Sequence, residues 1–268
     1  MRQAPALFVS HGAPTFALDP GLLGPKLSQL GERWHGLAGI AVVSAHWQTA
    51  GLEVMSTAAP DTVHDFGGFP QALYRLKYPA PGAPALAEET VALLKDAGIG
   101  AGLDDRRGFD HGVWVPLLHL LPGAKVPVFQ VSLPFAFNAQ RAFALGRALR
   151  PLRLRGVLVM GSGSLTHNLA EIGQSDPSGS QYALEFTSWI RTHVQSRDIE
   201  ALLDYRRLAP HAKRAHPTEE HFLPLLVSLG ASEEADRVTV IEGGLTYGVL
   251  SMESYAFEDA VQSPSPDH

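Results

Sequence analysis

The stretch Gly39-Ile40-Ala41-Val42-Val43-Ser44-Ala45-His46-Trp47 decides the fold. Its apolar run is β-branched, too short for a helix and apolar at every position, as suits a strand buried on both faces. It then stops at a small polar residue, with a histidine close behind. Two further stretches have the same form. Ala6-Leu7-Phe8-Val9-Ser10 runs into His11-Gly12, and Gly156-Val157-Leu158-Val159-Met160 runs through Gly161-Ser162-Gly163-Ser164-Leu165-Thr166 to His167-Asn168. In open α/β sheets, ligands bind in the crevice outside the carboxyl ends of the strands. Three histidines at three strand exits meet in one place if those strands are parallel neighbours.

Working outward, short apolar runs predict strands over 6–9, 39–44, 52–55, 126–133, 156–160, 238–241 and 247–252. Helical candidates lie between them at 84–97, 114–121, 138–149, 180–195, 199–203 and 218–229. This alternation predicts an α/β fold: a single domain with a mixed central β-sheet flanked by helices, and a site at the strand C-terminal ends. The domain is expected over 1–257, with a flexible C-terminal tail over 258–268, where the text turns to Ser, Pro and acidic residues.

Composition narrows the function. The 268 residues carry 21 Lys+Arg against 27 Asp+Glu, a net charge of −6, so no basic excess is available for a nucleic acid. No apolar run approaches the ~20 residues that span a bilayer, so no membrane partner is expected. The opening Met1-Arg2-Gln3-Ala4-Pro5 lacks a signal-peptide apolar region, which favours a cytoplasmic location. Neither a heptad seam nor an apolar surface stripe is evident, which leaves a homo-oligomer open. Cysteine is absent, which excludes disulfides, thiolate metal sites and a Cys nucleophile, whereas histidine occurs 12 times. No GxSxG, P-loop or GxGxxG motif is present, and Gly161-Ser162-Gly163-Ser164 lacks the Lys-Ser/Thr of a phosphate loop.

Three more histidines have a distinctive setting. His64, in Val63-His64-Asp65-Phe66-Gly67-Gly68-Phe69-Pro70, and His111, in Gly108-Phe109-Asp110-His111-Gly112-Val113-Trp114, lie in loops rich in glycine and aromatics. Such loops form pocket walls or ordinary Asx turns. His221 follows His216-Pro217-Thr218-Glu219-Glu220, where Thr218 or Pro217 can open a helix, and the reading puts His221 in its first turn with Pro224 bending it. His211 and His216 are expected in a surface loop, and His35, His119, His193 and His268 have no telling context. Imidazoles converging without thiolates suit Zn, Fe, Cu or Ni, and three ligands with an open position describe a catalytic metal. A fourth histidine beside them suits acid/base work. Residue types alone leave oxygen chemistry on a catechol and zinc-dependent hydrolysis both open.

The motifs taken together resemble the DOPA 4,5-dioxygenase family, a branch of the class III extradiol ring-cleaving dioxygenases. The resemblance rests on Pro5-Ala6-Leu7-Phe8-Val9-Ser10-His11-Gly12-Ala13-Pro14, Val43-Ser44-Ala45-His46-Trp47, His64-Asp65-Phe66-Gly67-Gly68-Phe69-Pro70, Tyr78-Pro79-Ala80-Pro81-Gly82, Gly108-Phe109-Asp110-His111-Gly112, Thr166-His167-Asn168-Leu169, Glu220-His221-Phe222-Leu223-Pro224-Leu225 and Gly248-Val249-Leu250-Ser251-Met252. These run in family order from residue 5 to residue 252. Ala13 and Val249 depart from the family's common residues. The resemblance implies an extradiol dioxygenase domain acting on a DOPA-like catechol with O2. His11, His46 and His221 would be the metal ligands, His167 the acid/base, and His111 and His64 the substrate-orienting groups, with His111 also serving catalysis. It further implies Fe2+ for turnover, with Zn2+ able to occupy the same imidazoles. A zinc-dependent hydrolase and a non-enzymatic metal-bearing binding protein are the competing expectations.

Overall fold

The structure is a computed structural model that describes residues 3–173 and 177–260. Six strands form its main sheet: β1 (Ala6–Ser10), β2 (Gly39–Ser44), β3 (Val128–Gln130), β4 (Val157–Gly163), β5 (Asp236–Ile241) and β6 (Ser254–Asp259). Their order is β3-β2-β4-β1-β6-β5. The first four are mutually parallel, while β6 runs antiparallel to both β1 and β5. Among the described residues, β1, β2 and β4 are buried throughout, as their continuous apolar text requires.

The main helices are α1 (Leu23–Arg33), α2 (Pro84–Asp96), α3 (His111–Leu120), α4 (Ala139–Leu149), α5 (Pro177–Gln195) and α6 (Leu223–Ala231). The end of β4 assigns two of them to opposite faces. A Cβ on Gly161 would lie 2.0 Å from the Pro224 carbonyl oxygen, and one on Gly163 would lie 2.1 Å from that of His221. Ser162, between them, points to the other face and donates to the Gly112 carbonyl of α3. Helix α6 therefore lies directly on the glycine side, with α3 on the serine side. Helix α4 crosses α6 just as closely: a Cβ on Gly146 would meet the Val227 carbonyl at 2.0 Å and one on Gly230 the Phe143 carbonyl at 2.1 Å. No helix among the described residues is long and apolar enough to cross a membrane.

Several boundaries differ from the sequence reading. Strand β4 continues through Gly161-Ser162-Gly163, text that looks like a loop but is a strand with a helix pressed on one side. The run 126–133 breaks into β3 and a two-residue strand, Leu133–Pro134, that pairs with Gln48–Thr49. The run 247–252 shrinks to Leu250–Ser251, because Tyr247 and Gly248 take left-handed backbone angles (φ 54° and 78°) to turn the chain. Helix α3 opens at His111 rather than Trp114. Helix α6 opens at Leu223 rather than Thr218, so Pro224 sits in its first turn, where a missing N–H costs nothing and no bend follows.

Strand β6 and helix α1 were not anticipated. Glu258, expected to begin the tail, is instead buried in β6, where it accepts from Trp34 Nε1 at 2.9 Å and Arg33 Nη2 at 3.2 Å. Asp259 also belongs to this strand, and the remainder of the expected tail, 261–268, lies outside the described residues.

The edge of the fold is fixed by a buried ion pair. Arg153 has no solvent exposure; it donates to Asp236 Oδ2 at 2.7 Å, the Ala4 carbonyl at 2.7 Å and the Ala231 carbonyl at 3.0 Å. Replacing Asp236 by Ala leaves a buried guanidinium without its counter-charge, at an expected cost of about 3–5 kcal/mol. Urea denaturation of Asp236→Ala checks this; a loss well under about 1 kcal/mol would show that the Ala4 and Ala231 carbonyls alone suffice.

Candidate metal centre

The register of the sheet brings the strand-exit histidines together. Strands β1 and β2 flank β4, and both leave the sheet level with its last residues: the His11 amide donates to the Gly163 carbonyl (2.8 Å) and the Ala45 amide to the Ser162 carbonyl (3.0 Å). His11 and His46 then lean toward each other over the end of β4, with their Nε2 atoms 2.9 Å apart. His221 arrives from the opposite layer, in the segment just before α6. Its carbonyl is held by the Ser164 amide at 3.0 Å, and its Nε2 lies 3.3 Å from that of His46. Gly163 makes this approach possible.

The outer nitrogens fix how the rings are protonated. The single Ser162 hydroxyl proton goes to Gly112, so Ser162 Oγ accepts from His11 Nδ1–H at 3.0 Å. His221 Nδ1–H donates to Glu220 Oε1 at 2.9 Å, and His46 Nδ1 faces Asp65 Oδ2 at 3.9 Å. Burial, reinforced by the neighbouring histidines, holds His11 and His221 well below the usual imidazole range. Burial and then His111 lower His46 to about 3. Neutral rings with Nδ1 protons outward turn their Nε2 lone pairs on one another, and at most one proton can bridge them. A divalent cation satisfies all three. Metal–nitrogen bonds of ~2.0–2.1 Å at octahedral or tetrahedral angles put nitrogens about 2.8–3.4 Å apart, and the observed 2.9 and 3.3 Å match that spacing. The donor set therefore fits a metal, and it is one of the groupings whose ligand atoms lie within 4.8 Å of one another.

Two further predicted residues join this cluster. His111, at the start of α3, packs its ring on His46 (centroids 3.9 Å) and donates through Nδ1 to Asp65 Oδ1 at 3.0 Å; its backbone amide reaches the same oxygen at 2.9 Å. Burial would raise the Asp65 pKa, but these bonds and the His111 ring outweigh it and hold the carboxyl at about 2. His167 stacks on His221, with ring centroids 3.4 Å apart and planes 9° from parallel. Burial lowers its pKa to about 4, with Glu220 pulling upward and His46 and His111 downward. His64 stands one aromatic layer away. Its Nε2 donates to the Leu76 carbonyl at 3.1 Å, and its ring lies edge-on to Phe66 (5.8 Å) and Trp114 (5.6 Å). Phe66 in turn meets the His111 ring at 5.7 Å. Of the aromatic residues near these motifs, Trp114 is core, whereas Phe66 is only partly buried.

Sequence reasoning passed over the residues that aim the histidines. Asp65 and Glu220 each adjoin a histidine and read as turn and helix-start residues, yet both accept from imidazole Nδ1. Ser44 and Asp110 form a buried pair at 2.6 Å, and Arg107 joins Asp110 (2.8 Å) to the His46 carbonyl (3.3 Å). The local signal was available: each lies within four residues of a site histidine.

Comparison with known proteins agrees with this geometry. The family described as the catalytic LigB subunit of aromatic ring-opening dioxygenase matches residues 29–258. A 4,5-DOPA dioxygenase extradiol of Beta vulgaris is 38% identical over 257 residues, spanning 93% of this chain and 95% of that protein. A protein of the same description from Escherichia coli (strain K12) is 39% identical over 256 residues, 92% of each chain. A crystal structure of an uncharacterized protein from Escherichia coli K12 superposes with a TM-score of 0.78 at 33% identity, covering 95% of this chain and 99% of that one. The chain belongs to the LigB family of aromatic ring-opening dioxygenases. Within that family it is an extradiol dioxygenase, of the branch that includes the 4,5-DOPA dioxygenases. This sets aside the hydrolase and the non-enzymatic binder.

The glycine at the end of β4 makes the metal set testable. Gly163→Ala drives a methyl group into the His221 carbonyl and is expected to lower metal content per chain by elemental analysis. Gly51→Ala, where an added Cβ meets nothing within 4 Å, is the control and should bind metal as the parent does. Equal metal content in the two variants would show that His221 is not needed for binding.

Proposed function

We propose that the enzyme inserts both atoms of O2 beside the diol of a catechol-type, DOPA-like substrate, with His11, His46 and His221 holding Fe2+. The observation that carries this reading is the set of three inward-facing Nε2 atoms with a fourth histidine stacked against one of them. Zn2+ suits the same imidazoles. Bound there, ferrous iron would supply coordination positions for the diol and O2 and a path for electrons from the diol to O2.

The chain's own residues supply the rest. His167 is neutral at physiological pH, since burial lowers its pKa to about 4, so it can take a proton from a substrate hydroxyl. Glu220 stabilises the imidazolium formed, and the same ring returns the proton when the O–O bond breaks. His111 is fixed with its Nδ1–H on Asp65, which leaves Nε2 as the nitrogen available to substrate or oxygen. His64, edge-on to the core Trp114 and to the partly buried Phe66, orients substrate through Phe66, whose ring meets that of His111. Insertion next to the diol gives a ring-opened semialdehyde, which is yellow.

Three experiments test the assignment. Protein loaded anaerobically with Fe2+ should take up O2 and form yellow product with a catechol, and zinc-loaded protein should not. His167→Phe should keep its metal but lose turnover by about 10²–10⁴-fold; full activity would remove His167 from the chemistry. His11→Ala and His46→Ala should each reduce metal occupancy, and unchanged occupancy would remove them from the ligand set.

A further inference from the structure

The sequence reading leaves His216 in a surface loop; the structure buries it completely. Its Nε2–H donates to the Leu165 carbonyl at 2.8 Å, which leaves Nδ1 as a lone pair with no hydrogen-bond partner among the described residues. Burial lowers its pKa to about 3, so the ring stays neutral. A buried unpaired acceptor is destabilising, and an apolar side chain of similar shape would avoid that cost. Retaining an imidazole here calls for a role in which the donated proton matters.

The surroundings supply one. The segment carrying His216 forms a short ladder with the loop that carries His167. The His167 amide donates to the Ala215 carbonyl at 2.8 Å, and Asn168 Nδ2 donates to the Arg214 carbonyl at 2.9 Å. The His216 side chain adds the rung at Leu165, two residues before His167. Its ring also packs edge-on against Phe222 (5.3 Å), the residue after His221. One side chain thus touches both segments whose histidines stack at 3.4 Å.

We infer that His216 is a positioning residue: its Nε2–H on the Leu165 carbonyl and its ring on Phe222 hold His167 in register against His221. This rests on the assignment of His167 as the acid/base group. His216 touches neither substrate nor metal ligand nitrogens; it acts through the placement of another ring.

Two substitutions separate this role from a purely structural one. Glutamine places an N–H where His216 has Nε2, whereas asparagine places one only as far as Nδ1. His216→Asn should fold and bind metal normally, with KM little changed and kcat reduced by about 10–100-fold, the penalty of a misplaced catalytic group. His216→Gln should restore kcat to within a few-fold of the parent. A readout independent of turnover is the His167 ring proton signal in the zinc-loaded protein: the upfield ring-current shift from stacking on His221 should fall in His216→Asn and persist in His216→Gln.

The proposal is overturned if His216→Asn keeps parental kcat and ring-current shift while His167→Phe is inactive; the acid/base assignment then stands alone. If His167→Phe also turns over normally, the assignment itself has failed. It is equally overturned if a folded, metal-loaded His216→Gln loses kcat as far as His216→Asn does, or if His216→Asn loses its fold or metal, since either outcome marks a structural residue.

Discussion

Three imidazole nitrogens must meet at one point beyond the sheet, and the fold is arranged around that requirement. His11 and His46 leave strands that lie two ladder spacings apart, about 9–10 Å, so their rings must bridge the end of β4 between them. That end must be small. Gly161-Ser162-Gly163 meets the condition from both sides: the glycines admit α6 and the His221 carbonyl, and the serine reaches back to orient His11. A side chain at either glycine would separate the layer that brings His221 from the layer that brings the other two. The parallel order of β2, β4 and β1 follows from the same requirement, because only parallel strands deliver their exits to one edge.

Convergence of lone pairs in a buried place is electrostatically costly, and the chain offsets it from outside the ring cluster. Ser162, Glu220 and Asp65 face the outer nitrogens of His11, His221 and His46, so each Nε2 is left to point inward. Outer partners of this kind fix tautomer and ring orientation in metal sites. Asp65 is itself immobilised by both the amide and the ring of His111, so the start of α3 and the orientation of His46 are coupled. The same carboxylate therefore aims two histidines with different tasks.

Much of the site was legible because polar residues after buried strands stand out against apolar text. His11, His46 and His167 were visible for that reason, and His221 through its motif. What could not be read depended on distant partners. Ser254-Tyr255-Ala256-Phe257-Glu258-Asp259 ends in carboxylates and resembles the start of a tail; it is a sheet strand because Glu258 finds Trp34 and Arg33, more than 220 positions away. Helix α1 contains Gly24, Pro25 and Gly31, which argue locally against a helix. Gly31 is there because a Cβ would lie 1.7 Å from the Leu120 carbonyl of α3. The expected start of α6 fell early because Pro217 and Thr218 offer both a proline and a capping hydroxyl, whereas the actual start has Pro224 but no side-chain cap at Phe222. Only packing against β4 chooses between them.

The arrangement of charge explains why an all-imidazole site also needs carboxylates nearby. Three neutral histidines leave a divalent cation its full charge, which favours an anionic diolate over neutral ligands. Left alone, that field would also hold an anionic product. Asp65 and Glu220 stand behind His46 and His221, hydrogen-bonded to the outer nitrogens of His111 and His221 and outside the inward-facing Nε2 set. Their negative charge reaches the site through the rings and moderates the field without filling a coordination position. With the metal and diol of the proposed function, this arrangement would let the site attract an ionised diol at an open position and still release the product, whereas a directly ligating carboxylate would shift the balance toward release.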